Sequence, residues 1–234
     1  MNFSFSFNQQ KLLLTMTISL LFLSLTLHSE QNVINLDKLQ ERNGVKYQIN
    51  SQTPFTGITE EYIYGSYDKN LMSKKEWKDG KADGIHETYF GDYPGQIATR
   101  KNYKNGKLNG PSEKYDRLGN LYESTNYKDD EMTGIFKSFF PNGQLEELFT
   151  LENEKMEGPF ESYKENGLMF RSGIMSEKTG YLFRKSYDQY GLYAVESFLN
   201  EKKHGLHQKW DEENEKTEKC FQYGKEVQMS ECIE

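Results

Sequence analysis

The chain has 234 residues and a formal net charge of −7, with 28% charged and 35% hydrophobic residues at a mean hydropathy of −0.87. That is lean for one thick globular core, whereas 16 Tyr and 15 Phe are too many for a disordered chain. A negative balance with finely mixed signs argues against nucleic-acid binding, and two cysteines cannot staple a chain of this length.

Residues 1–29 stand apart. Lys11 precedes an apolar run from Leu12 to Leu27 and the small Ser29, the outline of a secretory signal peptide. At ~1.5 Å per residue that run spans about 24 Å, short of a roughly 30 Å hydrocarbon core. Cleavage near Ser29 and an exported product (periplasmic, cell-surface or secreted) are therefore expected, with no membrane span left after cleavage. Residues 30–56 read as an N-terminal capping segment, and residues 229–234 as a short tail.

Residues 57–228 read as seven copies of one unit. Each opens on an anchor, Gly57, Gly84, Gly110, Gly134, Gly158, Leu182 or Gly205, and carries an aromatic five residues later: Tyr62, Tyr89, Tyr115, Phe139, Tyr163, Tyr187, Trp210. Seven residues before the next anchor slot stands a large apolar residue: Trp77, Tyr103, Tyr127, Leu151, Met175, Phe198, Phe221. Length varies only between these joints, as expected of loop tips. Asp79-Gly80, Asn105-Gly106 and Asn142-Gly143 punctuate the chain too often for helices and supply the positive φ that hairpin turns need.

The anchor+1 row, Ile58, Ile85, Pro111, Ile135, Pro159, Phe183 and Leu206, lies at strand period with the aromatics and is expected on one buried face. Leu71, Ile97, Leu121, Leu145, Met169 and Leu192, each six residues before a closing apolar residue, are expected to share that residue's face. Glu60, Glu87, Glu113, Lys137, Glu161, Lys185 and Gln208 fall on the buried face as well, a polar row in need of partners. The fold expected is all-β: an elongated, single-layer antiparallel meander of β-hairpin repeats, on the order of 65 Å long at ~4.8 Å per strand.

The Gly-x4-aromatic and aromatic-x2-Gly-Lys-x2-Gly elements, as in Tyr103 to Tyr115, together with the opening segment Leu39 to Gly57, resemble the MORN-repeat variants of bacteria, including YwqK-type antitoxins. Leu182, and Asp130-Glu131 in place of Gly-Lys, depart from that pattern. The resemblance implies MORN-type hairpins without a catalytic centre, used for contacts with proteins or phospholipids, and an antitoxin or immunity role that the leader puts in doubt.

Catalytic and metal-ligating signatures are missing from the sequence. His204 and His207, three apart on a strand, point to opposite faces, so no metal is expected. A bridge between Cys220 and Cys232 requires the tail to fold back over a hairpin that pairs Cys220 with a residue near Val227. The expected function is non-enzymatic and cofactor-free, a scaffold for another protein; the alternatives are inhibition of a toxin and glycan binding at the cell wall by aromatic stacking. Candidate binding residues are Trp77 and Trp210 and the tyrosine-rich loop of Tyr62, Tyr64 and Tyr67, at the two ends of the array.

Overall fold

A computed structural model describes residues 32–64 and 69–232. The expected leader and Tyr67 lie outside these residues. The strands are β1 (Val33–Asn35), β2 (Leu39–Arg42), β3 (Val45–Gln48), β4 (Gly57–Tyr64), β5 (Lys69–Lys78), β6 (Lys81–Tyr89), β7 (Ile97–Lys104), β8 (Lys107–Tyr115), β9 (Leu121–Lys128), β10 (Glu131–Phe139), β11 (Leu145–Glu152), β12 (Lys155–Tyr163), β13 (Met169–Ser176), β14 (Tyr181–Tyr187), β15 (Leu192–Leu199), β16 (Lys202–Lys203), β17 (Gly205–Trp210), β18 (Lys216–Gln222) and β19 (Lys225–Val227). The only helical segments among the described residues are two short 3-10 turns, Leu36–Lys38 and Met229–Glu231.

From β4 to β19 the chain is one long antiparallel meander in which successive strands pair, β16 and β17 both pairing with β15 as two pieces of one interrupted strand, and the sheet is not closed into a barrel. At the N-terminal end β1 lies parallel to β4 and covers its edge. The separate β2–β3 hairpin docks beside the first joint through Lys46 N donating to Gly80 O, while the buried Phe55 accepts from Gly80 N.

The two sequence marks of the repeat are cross-strand partners. Gly57 faces Trp77, Gly84 faces Tyr103, Gly110 faces Tyr127, Gly134 faces Leu151, Gly158 faces Met175, Leu182 faces Phe198 and Gly205 faces Phe221. A Cβ at Gly84 would meet Glu76, and one at Gly110 would meet Asn102, in each case a residue of the preceding strand and not the large residue opposite.

Glycine is also required by the backbone. At the joints leading into Gly84, Gly110, Gly134, Gly158 and Gly205 the later strand carries two more residues than its partner, as where Lys75 pairs with His86 and Trp77 with Ala82. These bulges put the anchor at positive φ, for example +112° at Gly84 and +108° at Gly110, a region that other residues rarely enter. Leu182 is the exception that fits. The β13–β14 joint runs without a register shift.

The carbonyl two residues before each anchor, at the bulged joints and at the unbulged Leu182 joint alike, is used by the next turn. Gly80 N donates to Phe55 O, Gly106 N to Ala82 O, Asp130 N to Leu108 O, Glu154 N to Met132 O, Glu177 N to Met156 O, Asn200 N to Gly180 O and Gly224 N to Lys203 O. One backbone bond per repeat therefore ties each turn to the unit before it.

A second, single-residue bulge corrects the expected face of one row. Glu61 pairs with Ser73 but Tyr62 with Leu71, leaving Met72 unpaired, and the same shift recurs at the loop end of the next five hairpins. Residues opposite one another project to the same side, so Leu71, Ile97 and their equivalents join the aromatics Tyr62 and Tyr89, while Trp77 and Tyr103 lie on the other face. Counting by twos cannot see an inserted residue.

The buried face is likewise the other one. Thr59, Ser73, Ser112, Thr125, Ser186, Glu196 and His207 are buried on the side of Trp77 and Phe198, where large rings fold over small neighbours. Most of the expected buried row is open instead, with Ile85 and Ile135 at 40% and 49% exposure and Pro111 and Pro159 exposed; Phe183 and Leu206 are half-buried, and Ile58 is the buried exception under β1.

Candidate interaction surface

The face opposite the bulge-covering rings, called here the ladder face, carries the polar row. Its central line runs through cross-strand pairs Glu60–Lys74, Lys74–Glu87, Glu87–Arg100 and Arg100–Glu113, so that signs alternate across the first five strands. Arg100 closes the pattern, with Nε 2.9 Å from Glu87 and Nη1 3.7 Å from Glu113.

The acids have a second partner two residues on. The hydroxyl of Tyr89 donates to Glu87 at 2.6 Å, Tyr115 to Glu113 at 2.7 Å and Tyr163 to Glu161 at 2.7 Å, and Tyr62 donates to Glu60 in the same way. Where the aromatic is Phe139 and has no hydroxyl, the acid is replaced by Lys137. Partial burial works to raise the Glu87 carboxyl, but Tyr89 and Arg100 outweigh it and hold it below its ordinary value. Burial first, and then the bond to Glu87, push the Tyr89 phenol well up against the opposing pull of Arg100. Beside this row Ile85, Pro111, Ile135 and Pro159 are exposed on alternate strands, with Asn102, Asn126 and Thr150 between them and the exposed Ile174 opposite Pro159.

The other face, the ring face, is structural. Trp77 donates its indole N–H to Thr59 at 2.8 Å and packs on His86, which packs on Tyr103 with ring centroids 4.4 Å apart. Phe136 and Phe149 stack at 4.5 Å in the middle of the sheet. His207 sits between Phe198 and Phe221 at the far end.

His86 and His207 occupy equivalent positions, two after an anchor. Each directs Nε2 to the carbonyl before a closing ring, Glu76 O at 2.9 Å and Ser197 O at 2.7 Å. A carbonyl only accepts, so the proton sits on Nε2. Burial holds both imidazoles below their ordinary value. Beside His207, Arg184 Nη2 is 2.6 Å from Glu196, and Arg184 outweighs the burial that would raise this carboxyl.

At the loop rim between the sixth and seventh units, Tyr190, Leu192, Tyr193, Trp210, Asp188 and Asp211 line a cleft of about 690 Å3. Tyr190 is 82% exposed and Tyr193 37%. Farther back along the rim Leu118 is 81% and Tyr122 42% exposed.

The five candidate residues do not converge. Tyr62 lies on the ladder face under the Lys69 ammonium, 3.5 Å from its ring centroid, and Trp77 lies on the ring face. Tyr64 ends β4 opposite Lys69, and Tyr67 is outside the described residues. Trp210 lines the rim cleft and Trp77 a smaller one of about 320 Å3 at the first joint, with Lys46 and Lys81. Of Trp210's neighbours, Tyr190 was missed because a loop's geometry does not follow strand period, and Tyr193 because it stands on β15 outside the repeat's marked positions. The repeated Glu-x-Tyr was the available signal for the ladder.

Cys220 and Cys232 are bridged, with Cα atoms 5.5 Å apart, and Cys220 pairs with Val227. Among the described residues no group of three or more His, Cys, Asp or Glu side chains is placed to hold a metal ion, and no helix is long and apolar enough to cross a membrane. No family model matches the chain, and no curated protein matches it in sequence.

Proposed function

We propose that this is an exported, non-enzymatic repeat protein of MORN-like type whose ladder face docks another protein. The observation that carries the reading is the set of Ile85, Pro111, Ile135, Pro159 and Ile174 left to solvent on one face, where Glu87, Glu113 and Glu161 of the adjoining row are held by their tyrosines and the first two also by Arg100. Solvated aliphatic side chains flanked by ordered charge have the make-up of an interface centre with a polar rim. Little side-chain freedom is lost when such a surface is covered. The resemblance of the repeat to bacterial MORN variants supports a contact role, and the leader-like residues 1–29 support export.

The test compares the unmodified chain with the Ile135→Arg/Ile174→Arg variant. A partner captured by crosslinking in an envelope fraction should be retained by the former and lost by the latter, while both melt alike. Equal capture by both chains would move the interface elsewhere. Identifying the mature N-terminus and the fraction holding the protein tests export separately.

A further inference from the structure

The rim cleft between the sixth and seventh units has a different chemistry from the ladder face. Its volume of about 690 Å3 falls in the ~300–1,000 Å3 range of small-ligand sites. Its aromatic groups are Tyr190, Tyr193 and Trp210, and its polar groups include Asp188, Asp211 and Glu212 with Lys164 as the cation.

The loops that present these groups are tethered. Asp188 Oδ1 accepts from Tyr190 N at 2.7 Å and Gly191 N at 3.2 Å, while Asp211 Oδ1 accepts from Glu213 N at 3.0 Å and Glu215 N at 2.8 Å. A ring held out by its own loop's hydrogen bonds costs little to order on binding.

Asp116 shows the same device in the third unit, with a difference. There Oδ1 holds Leu118 N and Asn120 N, but Oδ2 is taken by Asn120 Nδ2 at 3.0 Å, and the exposed tip residue is Leu118. In the cleft the tip is Tyr190, and Oδ2 of Asp188 and of Asp211 has no hydrogen-bond partner among the described residues. In this cleft, exposed aromatic faces and spare carboxylate acceptors come together.

We propose that the cleft binds a short stretch of an uncharged oligosaccharide. Pyranose C–H faces stack on the electron-rich faces of Tyr190 and Trp210, and sugar hydroxyls donate to the spare oxygens of Asp188 and Asp211. The excess of carboxylates over Lys164 turns away phosphate- or uronate-bearing chains. The site is separate from the ladder face, so the proposal stands or falls independently of protein docking.

The unmodified chain is titrated by calorimetry with cellohexaose, N-acetylchitohexaose and, as the anionic control, oligogalacturonate. In the Trp77→Phe chain Trp210 is the remaining tryptophan, and its emission should shift and saturate with a neutral hexasaccharide. Tyr190→Ala, at a tip that makes no sheet contact, should weaken binding at least ~10-fold, about one decade in Kd. Asp188→Asn keeps an oxygen for the loop and should weaken it several-fold. Ile135→Arg/Ile174→Arg should leave it unchanged. Absence of heat and of emission change with both neutral sugars at about 10 mM, unchanged affinity in Tyr190→Ala, or tighter binding of oligogalacturonate would each overturn the proposal.

Discussion

His207 shows how one side chain turns position into a pH response. It is 4% exposed between two phenyl rings, with Nε2–H on Ser197 O and the bare Nδ1 3.9 Å from Glu196 Oε1. Protonating Nδ1 would gain Glu196 but charge a buried ring, and burial prevails, holding the group below 6.5. A base with a lowered folded value binds fewer protons folded than unfolded. Its contribution is present above pH 6.5 and is lost as pH falls through the folded value. Glu87 and Glu196, held below 4.5, lose theirs only at lower pH. The melting temperature should therefore begin to fall below about pH 6.5, well before the carboxylates protonate. In His207→Phe that first decline should be shallower, with His86 left to supply the remainder; an identical profile would remove the assignment. A second residue-scale outcome concerns Glu154, which holds a turn at φ +65° where Gly106 holds the equivalent at +88°. Since left-handed backbone costs a side-chain-bearing residue ~1–2 kcal/mol, partly offset by the entropy of glycine, Glu154→Gly should stabilise the chain by about 0.5–1 kcal/mol in denaturant titration.

At the scale of the hairpin, the design rests on two bulges and a bonded pair. The glycine bulge sets the anchor at positive φ beside the carbonyl that holds the neighbouring turn, and the loop-end bulge brings the second strand's apolar residue under the aromatic. The Tyr–Glu bond then fixes the aromatic's outer end. Because Tyr115 and Glu113 are both half-buried, a charged hydrogen bond there should contribute about 1 kcal/mol after allowance for solvent. A double-mutant cycle of Tyr115→Phe and Glu113→Gln should recover a coupling of that size, whereas purely additive losses would make the bond incidental. Much of this unit was legible in residues. Gly110 and Tyr127 could be placed in one unit from spacing alone, and Leu182 could be seen to break the rule. Their direct opposition, and the joint without a bulge at Leu182, required the backbone. Met72 shows why faces were misassigned: an unpaired residue alters register without altering composition, so period-two counting carried Leu71 to the side of Trp77. Trp210 was legible as a surface aromatic. Tyr190 was not, because its exposure depends on the Asp188 tether in a loop with no period.

At the scale of the molecule, each unit bonds only to its neighbours, so the two ends need separate closures. The first end has β1 on the β4 edge and Phe55 at 3% exposure under the first turn. The second has the short β19 and the tail, which Gln222 Nε2 holds through Glu231 O at 2.9 Å and the Cys220–Cys232 bridge locks across twelve residues. Closing a loop of that size stabilises by about 2–3 kcal/mol through restriction of the unfolded chain. In a one-dimensional array that contribution stays near the end it serves. Reduction should therefore accelerate amide exchange in β17 to β19 while β7 to β9 keep their protection, and the fluorescence of Trp210 should respond to denaturant before that of Trp77. Faster exchange spread evenly from β4 to β19 would instead mean that the sheet opens as one cooperative body, with the bridge serving all of it.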